Sequence, residues 1–147
     1  MLYFAYGSNL NHAQMEYRCV GAKFIKKHIL RGYKLYFSHK TNRTVYGHAN
    51  IVKNKKSEVQ GAIWNISKKD EQELDVYEGI DYNYYQKEYF NFSGKKVLVY
   101  VQKKYYLQKP NSTYLHTIIE GYKDCSLELK RLKKVVSNYK INYTVSW

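Results

Sequence analysis

Proline is nearly missing from this chain: Pro110 is the only one in 147 residues. That excludes a Pro-rich linker or ligand segment. Cysteine is almost as scarce. Cys19 and Cys125 stand alone, with no C-x-x-C, so no disulfide framework is expected. The histidines (His12, His28, His39, His48, His116) do not fall at metal-ligand spacings, so no metal site is expected. Nucleotide-binding glycine motifs and a nucleophile triad motif are absent. No run of about 18 apolar residues occurs, so no membrane-spanning helix is expected. A charged n-region followed by an apolar stretch is also lacking at the N-terminus. Without a secretion signal or a cysteine framework, the expected compartment is the cytoplasm.

Acidic residues are few as well. There are 12 Asp and Glu against 25 Lys and Arg, a formal charge of +13. One reading is a nucleic-acid or anionic-membrane partner. The other is compositional bias, because Lys, Asn, Tyr and Ile are abundant together. The basic residues are spread along the chain, which favours the second. Their densest cluster is "LKRLKK", Leu129 to Lys134. No specific nucleic-acid partner is expected.

What the chain does have is tyrosine, 18 residues of it. Such aromatic content argues against disorder. The length suits one domain, 1–147. Elements follow from local chemistry. "LYFAY" reads as a strand, and Asn11 as the N-cap of a short helix. Alternation from Tyr33 to Phe37 reads as a strand. "GHANIV" and "EVQGAIWNI" read as two more, with "KNKKS" as a polar turn between them. Ser67 and Asp70 form a capping-box pattern ahead of a helix that Gly79 ends. "YYQKEYFNF" and "KKVLVYVQ" read as a hairpin about "SGK". Two helices close the chain. One carries Leu115, Ile118, Ile119 and Tyr122 on one face; the other carries Leu129, Leu132 and Val136. The order β-α-β-β-β-α-β-β-α-α implies an α+β fold, with a mixed sheet that curls into a small barrel or stays open.

Three places could carry chemistry. In Tyr6-Gly7-Ser8-Asn9 a strand runs through glycine into a helical start, where N–H groups lack partners. They suit an anion or a developing oxyanion, or they form an ordinary capped turn. Glu78 falls at the C-terminus of its helix, where the macrodipole disfavours a carboxylate. It is either a general base of raised pKa or a solvated surface acid. Asp75, one turn back, adds like charge. Tyr85 and Tyr100, on the two following strands, are either packing residues or cavity walls.

In order along the chain, "YFAYGSNL", "MEYRCVGAKF", "LRGYKLYF", "GHANIV", "EVQGAIWNIS", "LDVYEGIDYNYY" and "KPNSTYLHTIIEG" resemble the γ-glutamylcyclotransferase-like (AIG2-like) family. The resemblance spans nearly the whole chain, with Val20 where relatives often have Pro. It implies a small mixed β-barrel with surrounding helices. It implies release of 5-oxoproline from γ-glutamyl amides by attack of the substrate's own α-amine, with no cofactor. Glu78 takes the position of the catalytic acid/base. Tyr6, Gly7, Ser8 and Asn9 take that of the substrate-binding loop, and Tyr85 and Tyr100 line the cavity. The expected partner is a small γ-glutamyl compound. A relative acting on another amide such as a γ-glutamylamine, a catalytically silent binding protein and, more remotely, a basic nucleic-acid-binding protein are the alternatives. The leaving group and the oligomeric state have no signature here.

Overall fold

The computed structural model describes all residues, Met1–Trp147. Six strands form one mixed sheet in the order β4-β5-β1-β3-β2-β6. Strand β1 (Leu2–Ala5) runs antiparallel to β3 (His48–Asn65) and parallel to β5 (Lys95–Val101). Strand β2 (Lys23–His39) pairs with β3 over most of its length. Strands β4 (Gln86–Phe92) and β6 (Tyr106–Leu107) are the edges. The sheet curls strongly. His28 of β2 stacks on Phe90 of β4, ring centroids 6.1 Å apart, although three strands lie between them in sheet order. Helices α1 (His12–Arg18), α2 (Lys68–Tyr77), α3 (Ser112–Asp124) and α4 (Leu129–Val136) complete a half-barrel of the expected α+β class.

Local chemistry sets most element ends. The Asn11 side chain accepts from the Gln14 N–H and caps α1. Ser67 and Asp70 form the expected reciprocal capping box on α2. Ser93 and Gly94 both have positive φ, 50° and 78°, as a two-residue turn between twisted strands requires. Leu115, Ile118, Ile119 and Tyr122 of α3 are buried in a core that includes Phe4, Ile63 and Leu98 of the sheet.

Two strand assignments need correction. "GHANIV" and "EVQGAIWNI" belong to a single strand, β3, and "KNKKS" does not end it. Arg31 pairs with Glu58 and Tyr33 with Lys53, so residues 54–57 bulge out of the ladder without partners on β2. The polar residues are there because the bulge faces water. Strand β2 also starts earlier than its alternation shows. Its first half, Lys23 to Ile29, is largely exposed, so no buried face imprints a period of two. The last residues pack back on the sheet: the Tyr139 hydroxyl accepts from the Phe37 N–H at 2.7 Å and donates to its carbonyl at 3.0 Å. The same carbonyl also accepts from the Gln108 N–H at 3.1 Å, so Tyr139 bonds β2 where its pairing with β6 ends. No helix is long and apolar enough to cross a membrane.

Candidate active site

Strand β1 delivers the chain through Tyr6 and Gly7 into a 3-10 turn, Ser8–Leu10. The Leu10 and Asn11 N–H groups bond back to the Gly7 and Ser8 carbonyls at 3.1 and 3.0 Å. The N–H groups of Gly7, Ser8 and Asn9 stand at the open end of that turn. A Cβ on Gly7 would lie 2.9 Å from Ala49 Cβ, so glycine lets the loop press against β3.

Helix α2 brings the carboxyl group. Glu78 is its C-cap residue, donating its N–H to the Leu74 carbonyl at 2.8 Å. Gly79 follows in the left-handed region at φ 64°, which turns the chain sharply away. The loop and the helix end meet, 69 residues apart in sequence: Asn9 Nδ2 donates to Glu78 Oε1 at 3.5 Å. Tyr6, Gly7, Ser8, Asn9, Glu78, Tyr85 and Tyr100 all line one cavity of about 180 Å³. The sequence-predicted residues therefore converge without exception.

The cavity fixes the charge state of Glu78. The residue is only partly exposed and lines the cavity. Burial pushes the carboxyl up to about 7; the Arg18 guanidinium opposes this, and Asp75 adds to it. Burial is the main cause; in the sequence argument it stood only as a condition beside the helix-end position. Asp75 is otherwise engaged. It pairs with Lys87 Nζ at 2.5 Å and accepts from the Tyr100 hydroxyl at 2.7 Å.

The tyrosines form neutral walls. Tyr6 donates to the Tyr100 carbonyl and Tyr85 to the Ala49 carbonyl. Burial holds the Tyr6, Tyr85 and Tyr100 phenols far above their ordinary range, so they stay protonated.

Sequence reasoning missed several lining residues: Tyr3, Gln14, Arg18, His48 and Tyr114. Gln14 and Arg18 had a usable signal. They lie four apart on α1, directly after the loop, and so share one helix face. Gln14 Nε2 donates to Ser8 Oγ at 2.8 Å and to Asn9 Oδ1 at 2.9 Å. Tyr3 and Tyr114 had none, because 18 tyrosines look alike in sequence. No three His, Cys, Asp or Glu side chains converge as metal ligands.

Comparison with known proteins places the chain in a family. The model of the family described as "Gamma-glutamyl cyclotransferase, AIG2-like" matches residues 3–122. The Homo sapiens protein named "Gamma-glutamylcyclotransferase" is 30% identical over 152 residues, covering 97% of this chain and 81% of that one. The Bos taurus protein of the same name is 32% identical over 145 residues, covering 92% and 77%. A solved structure titled "Gamma-glutamyl cyclotransferase" superposes with a TM-score of 0.82 at 29% identity, over 99% of this chain and 93% of that one. With the family match running from β1 through α3, the chain belongs to the γ-glutamylcyclotransferase, AIG2-like family of enzymes.

Proposed function

We propose that this protein acts as a single domain that converts a γ-glutamyl amide into 5-oxoproline and a free amine or amino acid. Glu78 is the proton carrier. The observation that carries this reading is its carboxyl, pushed up to about 7 and facing the loop residue Asn9 across the cavity. A proton carrier is most effective when its pKa lies near the working pH.

The substrate's α-nitrogen arrives as an ammonium, and an ammonium has no lone pair to attack with. The Glu78 carboxylate removes one proton. The freed lone pair forms a bond to the γ-carbonyl carbon, and the carbonyl π electrons move onto oxygen. The N–H groups of Gly7, Ser8 and Asn9 receive that oxyanion. The protonated Glu78 then gives its proton to the leaving nitrogen as the old C–N bond breaks. The oxyanion's electrons re-form the carbonyl as that bond breaks, and the new ring nitrogen sheds its surplus proton through the same carboxylate to the departing amine, which leaves Glu78 ionised again. Both reactants are in one molecule, so the cavity's share is to hold the folded shape. Well-oriented intramolecular reactions reach effective molarities on the order of 10⁵–10⁸ M. The walls of Tyr6, Tyr85 and Tyr100 limit the room for an extended substrate. The charge of +13 takes no part in this scheme.

The test uses a γ-glutamyl amide and its N-acetyl analogue, with products identified by mass spectrometry. The expected result is 5-oxoproline from the first and no reaction of the second, because acetylation removes the nucleophile. Glutamate as primary product, or turnover of the acetylated compound, would indicate attack by water and reject the scheme.

A further inference from the structure

The side-chain amide of Asn9 is nearly symmetric in shape, so something must decide which end faces Glu78. Asn9 is 4% exposed, and its partners are all protein groups. Its Oδ1 accepts from Gln14 Nε2 at 2.9 Å and from Arg18 Nη1 at 3.1 Å. Its Nδ2 donates to the Tyr3 hydroxyl at 2.9 Å and to Glu78 Oε1 at 3.5 Å. Gln14 could turn its own amide over and accept instead. Arg18 cannot, because a guanidinium only donates. Arg18 is therefore the group that sets the polarity of the whole set.

Arg18 is itself held from the other side. Its guanidinium carbon lies 4.2 Å from the centroid of the Tyr77 ring, and Tyr77 is the residue immediately before Glu78. The side chain thus bridges the end of α1, the loop and the end of α2. It is the one Lys or Arg that lines the cavity.

We propose that Arg18 is a positioning residue for Glu78, locking the Asn9 amide so that its N–H₂ end, not its oxygen, faces the carboxyl. The inference rests on the reading of Glu78 as the proton carrier. With Arg18 replaced, the Asn9 amide is free to reverse. An amide oxygen against a carboxyl oxygen favours the protonated acid, and so does the loss of a nearby positive charge. Both effects keep Glu78 protonated to higher pH and remove the base at neutrality.

The surroundings leave room for this effect to be read. Asp75 of α2 also acts on Glu78, but its carboxylate stays paired with Lys87 of β4 and bonded to Tyr100 of β5. The phenols facing Glu78 from β1 (Tyr3), α3 (Tyr114) and the approach to β4 (Tyr84) are raised by burial and do not ionise in the range concerned. His48 of β3 is held below its ordinary range by burial and is neutral at pH 7 and above.

The experiment is the pH dependence of kcat and KM for wild type, Arg18→Met, Arg18→Lys and Gln14→Leu, each checked for a native melting transition. A shift of the acidic limb from about 7 to 8 lowers the ionised fraction at pH 7 from about one half to about one eleventh. Arg18→Met is therefore expected to lose about fivefold in kcat at pH 7 and to recover by pH 9, with KM changing less. Arg18→Lys keeps the charge but not the fork, and should shift the limb less. Gln14→Leu should shift it least. Arg18→Lys serves if Arg18→Met does not fold. A limb that stays in place in all folded variants overturns the proposal, whatever happens to the overall rate. Glu78→Gln separates the two ideas. If it is inactive while the Arg18 variants keep the wild-type limb, only the positioning role fails; if it is active, the proton-carrier reading fails first.

Discussion

The two ends of helix α2 carry glutamates in opposite states. Glu71 lies in the first turn and Glu78 caps the last. Burial would raise both. At Glu71 the ammonium groups of Lys68 and Lys87, at 3.0 and 3.1 Å, outweigh burial and hold the carboxyl below its ordinary value. The helix dipole favours an anion there too. At Glu78 no lysine or arginine closes to ion-pair distance, Arg18 acts from further off, and burial wins, to about 7. The same residue type on one helix thus becomes a structural anion at one end and a titrating group at the other. Partners, not residue identity, decide which.

The largest expected effect breaks the reactive end. Glu78→Gln keeps the shape and removes the proposed proton carrier, so kcat should fall by about 10²–10⁴-fold in a 5-oxoproline release assay. Retained activity would move suspicion to Asp75, the other carboxylate of that turn.

The same substitution should stabilise the fold. Folding raises the Glu78 pKa from 4.5 to about 7, so the native state holds that proton more tightly than the unfolded chain. This contribution is fully present below the unfolded value and is lost as pH rises through 7. Glu78→Gln escapes that loss. Its melting temperature should exceed wild type at pH 8, by the equivalent of at most about 3 kcal/mol, and the gap should close toward pH 5.

Glu71→Gln should do the reverse. A depressed pKa contributes stability above the unfolded value, and that stability is lost as pH falls through the folded one. The variant should lose about 1–2 kcal/mol at pH 7, measured by urea unfolding, and converge on wild type in acid. Turnover should persist, because Glu71 does not line the cavity.

The smallest effect sharpens the comparison. Lys87 joins the two ends by holding Glu71 at 3.1 Å and Asp75 at 2.5 Å. Lys87→Met leaves Asp75 uncompensated beside Glu78. The acidic limb of the kcat profile should then rise by a fraction of a unit.

Much of the fold is legible in the sequence, for local reasons. Asn11, Ser67, Asp70 and Gly79 bond or turn within a few residues of themselves, so sequence carries their geometry. The pairing of Asn9 with Glu78 is not written locally; the ordered family motifs supply it. The bulge at residues 54–57 stays hidden because a polar excursion from a strand and a polar turn share one composition. Arg18 stays hidden because its role depends on two surfaces, Asn9 and Tyr77, that only the fold brings beside it. The ranking of causes at Glu78 is equally out of reach, since burial is a property of the whole molecule.

The most direct test of the central claim is a carbon-13 NMR titration of the glutamate side-chain carboxyls, with Glu78 and Glu71 assigned by substitution. The two groups share one sample, one helix and one set of conditions. The account predicts a Glu78 inflection near 7 and a Glu71 inflection below 4.5. A Glu78 carboxyl titrating at or below the ordinary value of 4.5 would contradict it, because that acid would be ionised throughout the neutral range and poorly matched to returning a proton to the leaving nitrogen.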